Sequence, residues 1–209
     1  PPPFPSPPNR PLTRARAMCA RPPRPLQLLR AGLFDEYFDE IRQGVVCFMD
    51  PARFGRSPLE AASFIVSSAF PDKSLHGSGF LARLSGTTAE FLSMWNIMMM
   101  GEQPFVLDDD GELALALKPA IADWMWTDEG TLTFRFLGAV DVTYVNEDKT
   151  ATWGPDAAAI AKFELFTHAD DRAPAVTVQG GVLPAPHAAN VRALKYAAIK
   201  VTLLSASRR

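Results

Sequence analysis

The period of the apolar positions changes along the chain, and each change predicts a different kind of element. From Leu26 the pattern is helical. Leu33, Phe34, Tyr37, Phe38 and Ile41 recur at the spacing of one buried face, while Asp35, Glu36, Asp39 and Glu40 hold the other. Gly44 stands where a helix end favours a residue that tolerates positive φ. A second helix is predicted from Ser57-Pro58-Leu59-Glu60: Ser as N-cap, Pro at the first helical position and Glu three residues after the cap. Leu59, Ala62, Val66 and Phe70 extend its apolar face until Pro71. Residues 71–86, PDKSLHGSGFLARLSG, read as a glycine-rich loop. Thr87 and Glu90 form a second capping box ahead of Phe91 to Met100. That run is apolar nearly all round, with Ser93 and Asn96 its polar positions, so its helix is expected to be enclosed on most sides until Gly101 ends it.

Beyond Gly101 the period falls to two. Leu113, Leu115 and Leu117 alternate after an Asp108-Asp109-Asp110-Gly111 turn. Leu132, Phe134 and Phe136 alternate with Thr131, Thr133 and Arg135, and Val140, Val142 and Tyr144 continue beyond Gly138. Further strands are predicted near 160–167, 174–179 and 190–204. The expected organisation is α+β: a Pro/Arg-rich, disordered segment over 1–25, a helical segment over 26–101, and an antiparallel β domain over 102–209.

Composition changes this picture mainly at the head. With 47% hydrophobic and 21% charged residues the chain can bury a core. Residues 1–30, however, carry 10 of the 19 prolines and six arginines with no acid, a balance of +6. The remaining 179 residues hold 15 basic against 23 acidic side chains, a balance of −8. Such a head buries too little apolar surface to offset the entropy of ordering it. Its arginines admit organelle targeting by residues 1–30, but it is poor in Ser and lacks an amphipathic period, so the expected location is cytoplasmic. The first Met is Met18, and the composition break near residue 25 is expected to mark a cut through a larger protein.

Several chemistries drop out. The acidic body has no basic, aromatic-interleaved face, so no nucleic-acid partner is expected. No apolar run reaches membrane-spanning length, so no membrane partner is expected either. Cys19 and Cys47 supply no disulfide framework. They supply no thiolate metal site either, and His76, His168 and His187 lie too far apart for a histidine site, so no metal is expected.

The order of phrases from Phe54 onward carries a family likeness. Gly55-Arg56-Ser57-Pro58-Leu59-Glu60, Leu75-His76-Gly77, Arg83 to Phe91 and Gly101-Glu102-Gln103-Pro104-Phe105 follow one another, then Leu113 to Leu117, Pro119, Trp124 and Phe134-Arg135-Phe136-Leu137-Gly138. This order resembles the C-terminal part of inverting glycoside phosphorylases related to cellobiose phosphorylase, the groups of glycoside hydrolase family 94 and the family 149 β-1,3-glucan phosphorylases. The likeness covers roughly residues 33–205. It implies the last helices of an (α/α)6 barrel followed by a C-terminal antiparallel β-sandwich. It also implies phosphorolysis of a β-glucosidic bond with release of glucose 1-phosphate, with a β-glucan oligosaccharide and inorganic phosphate as co-substrates, no other cofactor, and a homodimer left open.

The Ser85-Gly86-Thr87 corner is the best candidate site on physical grounds as well. A helix N-terminus offers unsatisfied N–H groups and partial positive charge, and Gly86 admits an anion close to the backbone. In the resembled family the matching Thr-Gly pair binds the attacking phosphate, although Ser85 stands where family 94 has Thr and Thr88 is an extra residue before Ala89. His76 and Arg83 join Ser85, Gly86 and Thr87 as candidate phosphate donors, each also readable as an ordinary loop residue. Arg56 is as well suited to hold a carboxylate, Glu60 is explained by its capping box, and Trp95, Trp124 and Trp126 lie in apolar patterns that read as core.

Phosphate is already anionic, so the reaction needs one neutral carboxylic acid on the leaving oxygen and donors on the opposite face. The family's acid is an Asp upstream of everything matched here, and about three of the barrel's twelve helices can be counted in this chain. No catalytic residue is therefore assigned, and the chain alone is expected to be inactive. Two other readings stay open: a non-catalytic glycan-binding β-sandwich module, and an inactive truncated relic whose exposed barrel edge would aggregate.

Overall fold

A computed structural model describes residues 24–44, 48, 50, 52, 55, 62–66, 68–82 and 85–208, without the side chains of 24, 43, 44, 62–65, 80–82 and 85–88. The fold is mixed α+β, and the chain divides into two compact units, Pro1–Ser93 and Met94–Arg209.

The first unit contains α1 (Arg24–Arg30) and α2 (Phe34–Gly44). Gly32 joins them at φ +71°, the left-handed geometry of a helix-ending glycine. Its N–H donates to Leu29 O at 3.2 Å and the Leu33 N–H to Leu28 O at 3.0 Å, closing a Schellman turn. Asp35 and Glu36 in the first turn of α2 and Arg42 in its last complement the helix dipole. Tyr37, Phe38 and Ile41 are buried as their spacing predicts, with Leu26 and Leu29 of α1. Leu33 departs from the predicted face: it lies in the link before α2 and is exposed.

Burial pushes the Tyr37 phenol up to about 12. The folded unit thus holds the neutral phenol after the unfolded chain, with an ordinary value near 10, has begun to ionise. Stability from this residue is complete below about pH 10 and falls as pH rises towards 12. Alkaline titration followed by absorbance at 295 nm and far-ultraviolet circular dichroism should show helix loss in this window. Tyr37→Phe should remove the first unit's share of that pH dependence.

The predicted second helix is corrected where it is described. Ala62–Ile65 forms β1, paired antiparallel with β2 (Gly79–Ala82), in the register Ala62↔Ala82 and Phe64↔Phe80. Apolar residues at helical spacing also contain the aromatic and β-branched run Phe64-Ile65-Val66, and pairing with Gly-Phe-Leu-Ala decides for the strand. The predicted loop 71–86 accordingly contains a strand. Ser57–Glu60 lies outside the described residues.

In the second unit, Met94, Met98 and Met99 of α3 (Ser85–Met100) are buried. The end of α3 is closed by one local and three tertiary donors. Gly101 N–H bonds Ile97 O at 2.8 Å, Ala120 N–H bonds Met98 O at 2.8 Å, the Tyr144 hydroxyl bonds Met99 O at 2.7 Å, and Lys118 N–H bonds Met100 O at 3.1 Å. These are the carbonyls a helix leaves without partners of its own. Gly101 takes φ +85°, and a Cβ there would meet the Lys118 Cβ at 3.0 Å, so glycine serves both the turn and the close approach.

β3 (Phe105–Leu107) and β4 (Leu113–Leu115) form an antiparallel ribbon. The main sheet contains β5 (Thr131–Phe136), β6 (Val140–Val145), β7 (Ala159–Phe166), β8 (Val176–Gln179) and β9 (Ala198–Leu204), in the order β5-β6-β9-β7-β8. One face is core. Phe134, Phe136, Val140, Val142, Tyr144, Phe163, Leu165, Ile199, Val201 and Leu203 are all buried. Phe105 of the ribbon stacks on Phe136 with ring centroids 5.8 Å apart.

The sheet is not wholly antiparallel as expected, because β6 and β9 run parallel. The segment predicted as one strand over 190–204 opens with α4 (His187–Arg192) before β9. Antiparallel neighbours need only a hairpin, whereas a parallel pair needs a longer crossover.

Candidate functional site

Among the described residues the β1–β2 sheet precedes the candidate corner. β2 ends at Ala82, and Ser85, Gly86 and Thr87 form the opening turn of α3, a helix of 16 residues with no acidic side chain in its first turn. Its leading N–H groups are the orphan donors of a long helix, backed by the positive end of the dipole. The side chains of Ser85 and Thr87 and all of Arg83, Arg56 and Glu60 lie outside the described residues.

The helix begins two residues before the predicted cap. Thr87 therefore sits inside the first turn, and Glu90 falls in the second. Of the capping box expected of these two residues only the Glu90 side chain is described, and its Oε1 is shielded from solvent with no hydrogen-bond partner. Burial pushes the Glu90 carboxyl up, penalising the negative charge that would oppose an anion at the start of α3.

His76 is committed to its own loop. The Nε2 proton is donated to Phe70 O at 2.7 Å, which places the proton on that nitrogen because a carbonyl only accepts. Asp72 caps a 3-10 turn over Lys73–Leu75, its Oδ1 accepting from the Ser74 hydroxyl at 2.7 Å and the Ser74 N–H at 2.9 Å. The Ser74 hydroxyl and then its N–H hold the Asp72 carboxyl below the usual range, with the charge of His76 a smaller contributor. Val66 N–H to Ser78 O at 3.0 Å and Gly77 N–H to Val66 O at 2.9 Å close the hairpin at this end. The extended residues of β2 place about 10 Å of chain between the His76 loop and the end leading to Ser85, at ~3.3 Å per residue. His76 thus precedes β2, and Ser85 follows its last residue, Ala82, by three positions.

The tryptophans divide. Trp126 is buried, its indole N–H donating to Thr150 O at 3.0 Å, and Trp124 is half-buried. Trp95 is 40% exposed, against the expectation of core. Phe91 at 41% and Leu92 at 57% are exposed on the same helix, so α3 is not enclosed on most sides. Burial follows its methionines instead.

Sequence reasoning passed over the polar set around Asn146, which is fully buried. Its Nδ2 donates to Thr150 O at 2.8 Å, while its Oδ1 and the Thr150 hydroxyl have no hydrogen-bond partner. Nothing in Asn146-Glu147-Asp148-Lys149, which reads as an ordinary turn, signals that burial. Among the described residues no group of three or more His, Cys, Asp or Glu is placed to hold a metal ion, and no helix is long and apolar enough to cross a membrane. No protein-family model matches the chain, and a search of curated proteins found no match.

Proposed function

We propose that the chain is the C-terminal portion of a carbohydrate-active glycoside phosphorylase, in which Ser85, Gly86 and Thr87 hold inorganic phosphate against a β-glucan oligosaccharide. On this reading α1 to α3 belong to the end of an (α/α)6 barrel, and the β-rich region after it is the closing β-sandwich. The observation that carries the proposal is the opening of α3: a sixteen-residue helix begins on Ser-Gly-Thr with no acid in its first turn. A dianion there accepts from backbone N–H groups and meets the positive end of the dipole, and Gly86 puts no Cβ in its path. Phosphate attacks without a protein base, and the leaving sugar oxygen takes its proton from an Asp that the resembled enzymes carry upstream.

The purified chain should bind inorganic phosphate but release no glucose 1-phosphate from β-glucan oligosaccharides. Gly86→Ala should weaken phosphate about tenfold, read by phosphorus-31 line broadening, while leaving the thermal transition in place, because alanine favours the helix. Unchanged phosphate binding in Gly86→Ala would remove the corner from the site, and turnover by the chain alone would refute the missing acid.

A non-catalytic glycan-binding module is the second reading, favoured by the exposure of Trp95, since an open indole face stacks on sugar rings. Against it, the aromatic residues Phe134, Phe136, Tyr144 and Phe163 of the main sheet are buried in its core. Glycan retention that is indifferent to phosphate and lost in Trp95→Ala would decide for the module.

A further inference from the structure

We infer that the free edge of β5 is a dimerisation surface on which a second copy of this chain pairs antiparallel. The hydrogen-bond ladder shows which backbone groups face outwards. Asn146 N–H donates to Gly130 O at 2.8 Å, one step beyond the first ladder pair, Thr131↔Val145. Alternation along an antiparallel pair then turns the N–H and C=O groups of Leu132, Phe134 and Phe136 towards β6, and those of Thr131, Thr133 and Arg135 away from it. Thr127 takes up the outward groups of Thr131: its N–H donates to Thr131 O at 3.2 Å and its hydroxyl accepts from Thr131 N–H at 3.1 Å. Among the described residues no backbone hydrogen bond reaches the outward groups of Thr133 or Arg135.

A two-fold axis through Phe134 makes this edge self-complementary. Thr133 of one copy then exchanges N–H···O bonds with Arg135 of the other, and Arg135 with Thr133, while Phe134 stands opposite its own counterpart. The faces also match. Leu132, half-buried on the core side, comes opposite Phe136 of the second copy, extending the apolar face across the junction. No like charges meet, since Arg135 faces Thr133, and its guanidinium is already held by Asp141 at 3.1 Å and by Ala139 O at 3.0 Å.

The two sheet edges differ in how they are guarded. β8 is only four residues long and follows Pro174 closely, the usual means of blunting an edge. β5 is six residues of Thr, Leu, Phe and one paired Arg, with neither proline nor lysine. A strand-to-strand junction of this length falls below the standard interface size, so the dimer is weak and concentration-dependent.

Sedimentation equilibrium of the full chain over about 1 to 300 µM tests it. The expected result is a mass rising from monomer towards dimer. Thr133→Pro removes an outward N–H without touching the β6 ladder, and Thr133→Lys sets a charge beside the partner's Arg135, so each should raise the dissociation constant at least about tenfold. Tryptophan emission confirms folding in both variants, and if the proline variant unfolds the lysine variant decides. A monomer throughout the range overturns the inference. So does a dimer insensitive to both substitutions, or one dispersed by Leu92→Glu while Thr133→Lys leaves it intact, which would assign association to α3.

Discussion

Gly130→Ala is expected to cost the second unit about 3 kcal/mol or more, well above the ordinary penalty for adding a methyl group at a glycine of positive φ. Gly130 holds φ +69°, and a Cβ built there lies 2.3 Å from the Asn146 carbonyl oxygen and 3.0 Å from its carbon. Both neighbours are backbone, and the same carbonyl belongs to the residue whose N–H anchors Gly130 O. Relief therefore requires parting the start of β5 from the end of β6. Gly111→Ala and Gly138→Ala are the controls. Each has a similar positive φ, but nothing lies within 4 Å of the added carbon, so only the conformational penalty of about 1 kcal/mol applies. All four tryptophans, Trp95, Trp124, Trp126 and Trp153, fall in the second unit, so denaturant unfolding followed by their emission reports on it directly. Equal losses for Gly130 and Gly138 would show that the close approach carries no energy.

Tyr144→Ala should cost about 3–5 kcal/mol, and Tyr144→Phe about 1–3 kcal/mol of that. The ring is fully buried, 5.5 Å from the Phe134 centroid, and its hydroxyl supplies the partner of Met99 O at the end of α3. Burial also pushes its phenol far above the ordinary value, which keeps it a donor throughout the usable pH range. Phenylalanine preserves the packing and leaves a buried helix carbonyl orphaned, whereas alanine opens a cavity as well. The measurement is the same tryptophan-detected unfolding, with the slope against denaturant unchanged. A phenylalanine variant as stable as the parent would mean that Met99 O finds another donor.

Much of the second unit was legible because its main sheet has one buried and one exposed face. Leu132, Phe134 and Phe136, then Val140, Val142 and Tyr144, alternate with polar or solvent-side residues, and pleating converts that alternation into strand and face at once. The pairing of β6 with β9 was not legible. Their partners lie more than fifty residues apart, and no local signal states which distant strand will be parallel. At Ala62–Ile65 a 3.6-residue period and a short β-branched run coexisted, and the neighbour across the hairpin broke the tie. The candidate site shows the same limit. Ser85-Gly86-Thr87 was recognisable as the opening of a helix, but the true first residue displaced the Thr87–Glu90 cap. His76, nine residues before Ser85 in the chain, sits in the turn ahead of β2 and bonds Phe70 O there.

By itself, then, the sequence determined the α+β class, the strands around Phe134 and Val142, and the helix ending at Gly101. Those depend on periods and caps that operate within a few residues. Only the tertiary structure decided that Trp95 is open and Met99 closed, that Tyr144 completes a helix forty-five residues earlier, and that β5 keeps outward groups unpaired among the described residues. Burial and hydrogen-bond partnership at those positions come from residues distant in the chain, and the free energy of a contact is set by what arrives beside it.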